Sequence, residues 1–203
     1  LKETAGSVNA EQEFLSQAMV MESPFYRIEL VPGGIKSIYD KELGVDLLDT
    51  NKFLGAEIFA MQSDGMATFN EYEPQYPAMQ DFESIKSYKP QWVKEESNAL
   101  TSVYRVEQLM AHARFRITLK LYRSIKRIDF DVAMLEHDGT PHREYRMAFP
   151  LAMADGQVAY DTPFSAVEVG KDEIAGTVGG FENQTLAKDM SPRVVQDWID
   201  VSD

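Results

Sequence analysis

Phe115, Ile117, Leu119 and Leu121 alternate with Arg114, Arg116, Thr118 and Lys120, and after a short break Ile128, Phe130, Val132 and Met134 alternate with Arg127, Asp129 and Asp131. An extended chain points successive side chains to opposite faces, whereas a helix brings like residues together every three or four positions. Alternation sustained through both runs therefore admits a pair of strands, each with one face in a core and one in water. The polar faces are opposite in sign, Arg and Lys on the first run and mainly Asp on the second. Paired side by side, they attract by about a few tenths of a kcal/mol for each exposed pair.

The same pattern recurs along the chain. Tyr26, Ile28 and Leu30 alternate with Arg27 and Glu29, Pro32-Gly33-Gly34 turns the chain, and Ile35 to Tyr39 supplies a hairpin partner. Lys41-Glu-Leu-Gly44 and Asp138-Gly139 read as further turns, and Tyr145, Met147 and Phe149 as the inward set of another strand that Pro150 ends or confines to an edge. Tyr145, Phe149, Tyr160, Phe164 and Trp198 are expected in the core. Two stretches lack alternation and read as loops, 62–90 and 170–192. Only 9–21, rich in Ala, Gln, Glu and Met, reads as helix, and Ser23-Pro24 stops it. Many short strands with regular turns and hardly any helix predict an all-β protein, a large antiparallel β-sandwich with a short N-terminal helix. Residues 1–22 are expected to form a linker or that helix, and 23–203 the sandwich.

Charge and composition exclude several functions. Thirty-three acidic against twenty basic residues give a formal charge of −13, which repels the phosphates of nucleic acid and anionic membrane surfaces alike. No apolar run approaches the roughly 18–20 residues that span a bilayer. Nucleic acid and membrane are therefore not expected partners. Cysteine is absent, which removes disulfide and thiolate chemistry. No Gly-rich phosphate cradle precedes a helix and no serine sits in a nucleophile elbow, so phosphoryl and acyl transfer have no support.

Five blocks carry a resemblance. They are Pro32-Gly-Gly-Ile-Lys-Ser-Ile-Tyr-Asp-Lys-Glu-Leu-Gly44, Ser124-Ile-Lys-Arg-Ile-Asp-Phe-Asp131, His142-Arg-Glu-Tyr-Arg-Met-Ala-Phe-Pro-Leu151, Pro163-Phe-Ser-Ala-Val-Glu-Val-Gly-Lys-Asp-Glu173 and Val195-Gln-Asp-Trp-Ile-Asp-Val-Ser-Asp203. In this order they resemble the carboxy-terminal β region of glycoside hydrolase family 38, the retaining α-mannosidases, over 23–203. The resemblance implies a supersandwich of the galactose-mutarotase-like kind and a parent glycosidase acting on α-mannosides. It also implies a zinc ion in the parent's catalytic domain, and that domain, in the same chain, as the partner of this one. None of the blocks is a catalytic motif. The family opens its zinc site with a His-x-Asp pattern, which none of His112, His137 and His142 begins. No catalytic residue, metal ligand or cofactor is therefore expected within these residues, and the chain by itself is expected to be inactive.

A role at the margin of a sugar site is the remaining expectation. Carbohydrate sites stack aromatic rings on sugar faces and surround them with side chains that bond hydroxyls. Asp64, Asn70, Glu71, Tyr72 and Tyr76 supply that mixture within one loop, and they are the candidates for the edge of the parent's substrate cleft. Two rival classes remain open: a free-standing carbohydrate-binding module, and a mutarotase-like enzyme, which three scattered histidines disfavour. Residues 194–201 read as a strand whose sheet partner continues beyond the chain, so a domain truncated at its carboxy terminus and self-association through that edge are expected.

Overall fold

In a computed structural model of the chain, which describes residues 19–63, 79–110, 112–153, 155–173 and 195–202, nearly every element is an antiparallel strand. The strands fall into two compact units. The first holds three sheets. One contains β1 (Met19–Glu22), β2 (Tyr26–Val31), β3 (Gly34–Asp40) and β4 (Val45–Asp46) in sequential order. In the second, β7 (Val93–Ser97), β8 (Thr101–Met110), β9 (Ala113–Tyr122) and β10 (Ile128–His137) also follow in order, which leaves β7 and β10 as edges. The third places β5 (Glu57–Ser63) between β6 (Met79–Ser84) and β11 (Arg143–Ala148). The second unit is a sheet in which β12 (Gln157–Thr162) lies between β13 (Ser165–Glu168) and β14 (Ile199–Ser202).

The three sheets of the first unit share one core. Ile28, Leu30, Ile35 and Ile38 from the first sheet, Val106, Phe115, Ile117, Leu119 and Leu121 from the second, and Ile58 and Ala60 from the third belong to a single buried cluster. Burial along β9 alternates perfectly, from buried Ala113 to half-buried Tyr122, as the sequence pattern predicts. The expected hairpins form too. Val31 pairs with Gly34 across Pro32-Gly33, and Gly33 takes φ +84, a backbone angle that glycine adopts freely and other residues do not. A Cβ at that position would lie 2.6 Å from the Lys86 Cα, so both the turn and the neighbouring chain demand glycine. Trp92 closes the same corner, its Nε1 donating to the carbonyls of Val31 at 3.0 Å and Gly34 at 3.2 Å.

Two of the sequence blocks meet in space. The Asp40 carboxylate accepts the amides of Glu42 and Leu43 to shape the turn before Gly44, and its other oxygen lies 2.8 Å from the Lys126 ammonium. Lys126 also reaches Glu42 and sits over the Tyr26 ring. The loop between β9 and β10 is thereby pinned to the end of β3, which explains why those two blocks carry the charges they do.

Several expectations require correction. Residues 9–18 of the expected helix lie outside the described residues, but Met19, Val20 and Met21 are extended and pair with β2, because this strand needs an outer partner for its ladder. The expected 62–90 loop is structured at its far end. There β6 and a 3₁₀ turn, Ile85–Tyr88, follow one another. No alternation betrays β6, because it is an edge strand opposite a bulge between Ala60 and Gln62 and Asp81 takes φ +54. Phe164 is not in the core but fully exposed on a turn with φ +80, and Trp198 and Phe149 are more than a third exposed. Tyr160 is buried and Tyr145 packs against the core, as expected. The 194–201 strand begins only at Ile199 and pairs with β12. Ahead of it, the Asp161 carboxylate accepts the amides of Gln196, Asp197 and Trp198, which holds that segment in a turn.

Candidate functional site

Asp64, Asn70, Glu71, Tyr72 and Tyr76, the five residues that sequence analysis nominates for the edge of a sugar cleft, all lie outside the described residues. Among the described residues, an open groove of about 820 Å³ in the first unit runs along β10. It arises from the register of the β9–β10 hairpin. Lys120 faces Asp129 and Thr118 faces Asp131, so these four share the outer face, while Phe130 faces Leu119 on the inner face. Met147 and Phe149, at the end of β11, line the inner side. The Phe149 ring meets the Phe130 ring edge-on at 5.0 Å, a favoured arrangement for aromatic quadrupoles.

One wall of the groove is a polar constellation. Asp129 accepts a hydrogen bond from the Arg127 Nε at 2.5 Å and another from the Tyr122 hydroxyl at 2.7 Å. The Arg127 guanidinium beside it, then the tyrosine hydroxyl, hold the Asp129 carboxyl below the usual carboxylate range. The same contact pushes the Tyr122 hydroxyl up, since ionising it would set two anions together. An aspartate so held stays ionised at neutral pH with one donor on each oxygen. It suits binding and positioning, whereas a general acid needs a raised pKa and a free proton. Further along the outer face, Arg116 pairs with Glu107 of β8 at 3.0 Å and Arg114 with Glu136 of β10 at 3.2 Å. The expected attraction between β9 and β10 is thus realised at one end of the hairpin, while at the other Asp129 takes its strongest partner from its own strand approach.

The histidines are spread over turns and strand ends. The His112 Nδ1 lies 2.7 Å from the Asp138 carboxylate, His137 is the last residue of β10, and His142 takes φ +58 just before β11. Asp138 also accepts both the amide and the hydroxyl of Thr140, and these contacts, with His112, hold its carboxyl well below the ordinary range. Among the described residues no three His, Cys, Asp or Glu side chains converge as a metal site. A catalytic zinc takes three protein ligands, so this donor set does not fit one. The carboxylates here organise turns and ion pairs.

Acid should undo these turns. Glu22, Asp129, Asp138 and Asp161 are held below the usual range, and so is Asp40, where burial pushes upward but the Lys126 and backbone hydrogen bonds outweigh it. A carboxylate depressed in the folded state contributes stability above its unfolded pKa and loses it as pH falls through the folded value. Thermal unfolding should therefore be nearly flat from pH 7 down to about 5 and decline steeply below about pH 4. A midpoint unchanged between pH 6 and 3 would contradict these contacts.

The β9–β10 loop, the Asp40 turn, the β11 edge and the Asp161-held turn each coincide with one of the five blocks that carry the resemblance. Correspondingly, the family model described as the glycosyl hydrolases family 38 C-terminal domain matches residues 21–203. No curated protein sequence matches the chain.

Proposed function

The chain belongs to the glycosyl hydrolases family 38 C-terminal domain family, and from that premise we propose that it is the non-catalytic β-sandwich segment of a retaining, zinc-dependent α-mannosidase. In this reading it supports the catalytic domain and contributes to the edge of the substrate cleft, with Asp64, Asn70, Glu71, Tyr72 and Tyr76 as the residues that reach toward the sugar. The observation that carries the reading is the family match over 21–203. The geometry of the described carboxylates supports it. Retaining hydrolysis needs two carboxyl groups about 5–5.5 Å apart, one ionised to attack and one protonated to release the leaving group. Asp40, Asp129, Asp138 and Asp161 are instead held ionised by turn amides, hydroxyls and cations. In this reading zinc and the reacting carboxyl pair belong to the catalytic domain of the parent, and this segment supplies β-sheet structure beside it.

The enzyme that carries this domain is expected to release the aryl group from an aryl α-mannoside and to deliver the sugar with its α configuration retained. A strong chelator should abolish this activity and zinc should restore it. Release of the β-anomer first, or full activity after exhaustive chelation, would overturn the retaining zinc mechanism. Hydrolysis of α-glucosides in preference to α-mannosides would overturn the substrate class.

A further inference from the structure

β11 divides its polar side chains between two faces. Glu144 and Arg146 lie on one and pair with each other. Arg143, Tyr145 and Met147 lie on the other, since successive residues of a strand alternate, and Tyr145 and Met147 pack against the shared core. Arg143 therefore stands one row beyond the last core residue of its strand, half-buried. Among the described residues its guanidinium makes no hydrogen bond or ion pair, and its Nε is buried without an acceptor. This occurs in a chain with thirty-three acidic residues. A buried donor without a partner is costly and a buried charge more so, and for that reason such groups are nearly always satisfied or mark a place where something else binds.

The neighbours across the sheet are donors as well. Arg143 faces Gln62 of β5, which faces Gln80 of β6. Residues paired in this way project to the same side, so one row carries a guanidinium and two primary amides. Among the described residues neither amide side chain makes a hydrogen bond. The Ser63 amide donates to the His142 carbonyl at 2.8 Å, which ties β5 to β11 beside the row. Two carboxylates come near without filling it. Burial pushes the Tyr145 hydroxyl up, and the charges of Arg143, Asp138 and Glu83 act on it as well. Asp138, however, is taken by His112 and Thr140, and Glu83 by the Tyr88 hydroxyl.

We propose that Arg143, with Gln62 and Gln80 beside it, is a binding site for a carboxylate. A guanidinium offers two parallel N–H groups at the spacing of the two carboxylate oxygens, and the flanking amides donate to the lone pairs left over. One positive charge set among neutral amides matches a monoanion. A dianionic sulfate or phosphate would bring an unmatched charge to a half-buried row, in a chain whose formal charge is −13. The carboxylate has two sources, a free small acid and an acidic side chain of another polypeptide, and its chemistry at Arg143 is the same for both.

The test adds acetate to the purified chain and follows the guanidinium N–H resonances of Arg143 by NMR and the thermal unfolding midpoint in parallel. Acetamide serves as the neutral isostere, with sulfate at matched ionic strength and methyl α-mannoside as further comparisons. Acetate is expected to shift the resonances saturably, with a Kd on the order of millimolar, and to bind at least about tenfold more tightly than acetamide, sulfate or the mannoside. It should raise the midpoint of the native chain and leave that of Arg143→Gln unmoved. Without acetate, Arg143→Gln should unfold cooperatively and at no lower temperature than the native chain, because it removes an unpaired charge. Arg143→Lys keeps the charge but loses the fork and should weaken acetate about tenfold, and Gln80→Ala, at an exposed side chain, about threefold. A blocked Gly-Glu-Gly peptide separates the sources: tighter binding than acetate assigns the site to an acidic side chain, weaker binding to a free acid. Arg143 N–H groups already protected from exchange before any addition would overturn the proposal. So would an equal response to acetamide or sulfate, displacement of acetate by the mannoside, or a midpoint shift that survives Arg143→Gln.

Discussion

Trp92→Ala is expected to lower the unfolding free energy by about 4 kcal/mol, or more, and to leave the protein unfolded or aggregated at physiological temperature. The side chain is buried within the shared core. Its removal opens a large cavity, and surrounding groups recover only part of the lost contact. It also removes the donor that the Val31 and Gly34 carbonyls share. Trp92→Phe separates the two contributions. It keeps most of the volume but loses the donor, and a loss of about 0.5–1.5 kcal/mol is expected from the missing hydrogen bond alone. Chemical denaturation of the three proteins checks this, and a Trp92→Ala loss below about 1 kcal/mol would contradict the placement of the ring.

The second large effect concerns Glu57, the most thoroughly buried charged residue among the described ones, with no exposed surface. Its carboxylate accepts the Leu54 amide at 2.8 Å and the Ser84 hydroxyl at 2.5 Å, and the Lys86 ammonium lies 3.2 Å away. A buried ion is tolerated only when its lone pairs are filled and its charge is matched. Here one carboxylate ties β5 to the 3₁₀ turn and to the approach to β5. Glu57→Leu leaves the Leu54 amide and the Ser84 hydroxyl without their acceptor, and should cost about 1–3 kcal/mol for each buried donor left unpaired. Lys86→Met leaves the carboxylate with its two uncharged donors and should cost less, because the ammonium is 41% exposed and shares its charge with solvent. Reversal of that order in denaturation midpoints would show that the charge pair, and not the hydrogen bonds, secures the turn.

Where burial is one-sided, the sequence displayed it plainly. β9 was legible because its inner residues face a core and its outer residues do not, and the Pro32-Gly33-Gly34 corner because Gly33 takes a backbone angle that favours glycine; β10 kept the alternating pattern although its apolar row is only partly covered. β6 was not legible, since an edge strand opposite a bulge has no reason to alternate. Glu57 was hidden for the opposite cause. The β5 strand is buried on both faces around Glu57 and Ile58, so its carboxylate has no polar neighbour in the chain to mark it, and its partners arrive from 54, 84 and 86. The groove along β10 was partly visible. The apolar row Ile128, Phe130, Val132 and Met134 was readable, but nothing in the row itself marks that Val132 and Met134 are exposed. The five nominated residues of the 62–90 loop lie outside the described residues, while of Tyr122, Arg127 and Asp129 the last two sat within a recognised block without any spacing that signals a site.

The central claim is that this domain belongs to a glycosidase without carrying its chemistry. Purified chain, confirmed as folded by its cooperative unfolding, should be incubated with an aryl α-mannoside at high enzyme concentration, with and without added zinc. The account predicts release of the aryl group no faster than in buffer under both conditions. Zinc-stimulated turnover that is abolished by a chelator would contradict it, because the chain would then hold both the metal and the reacting carboxyl pair.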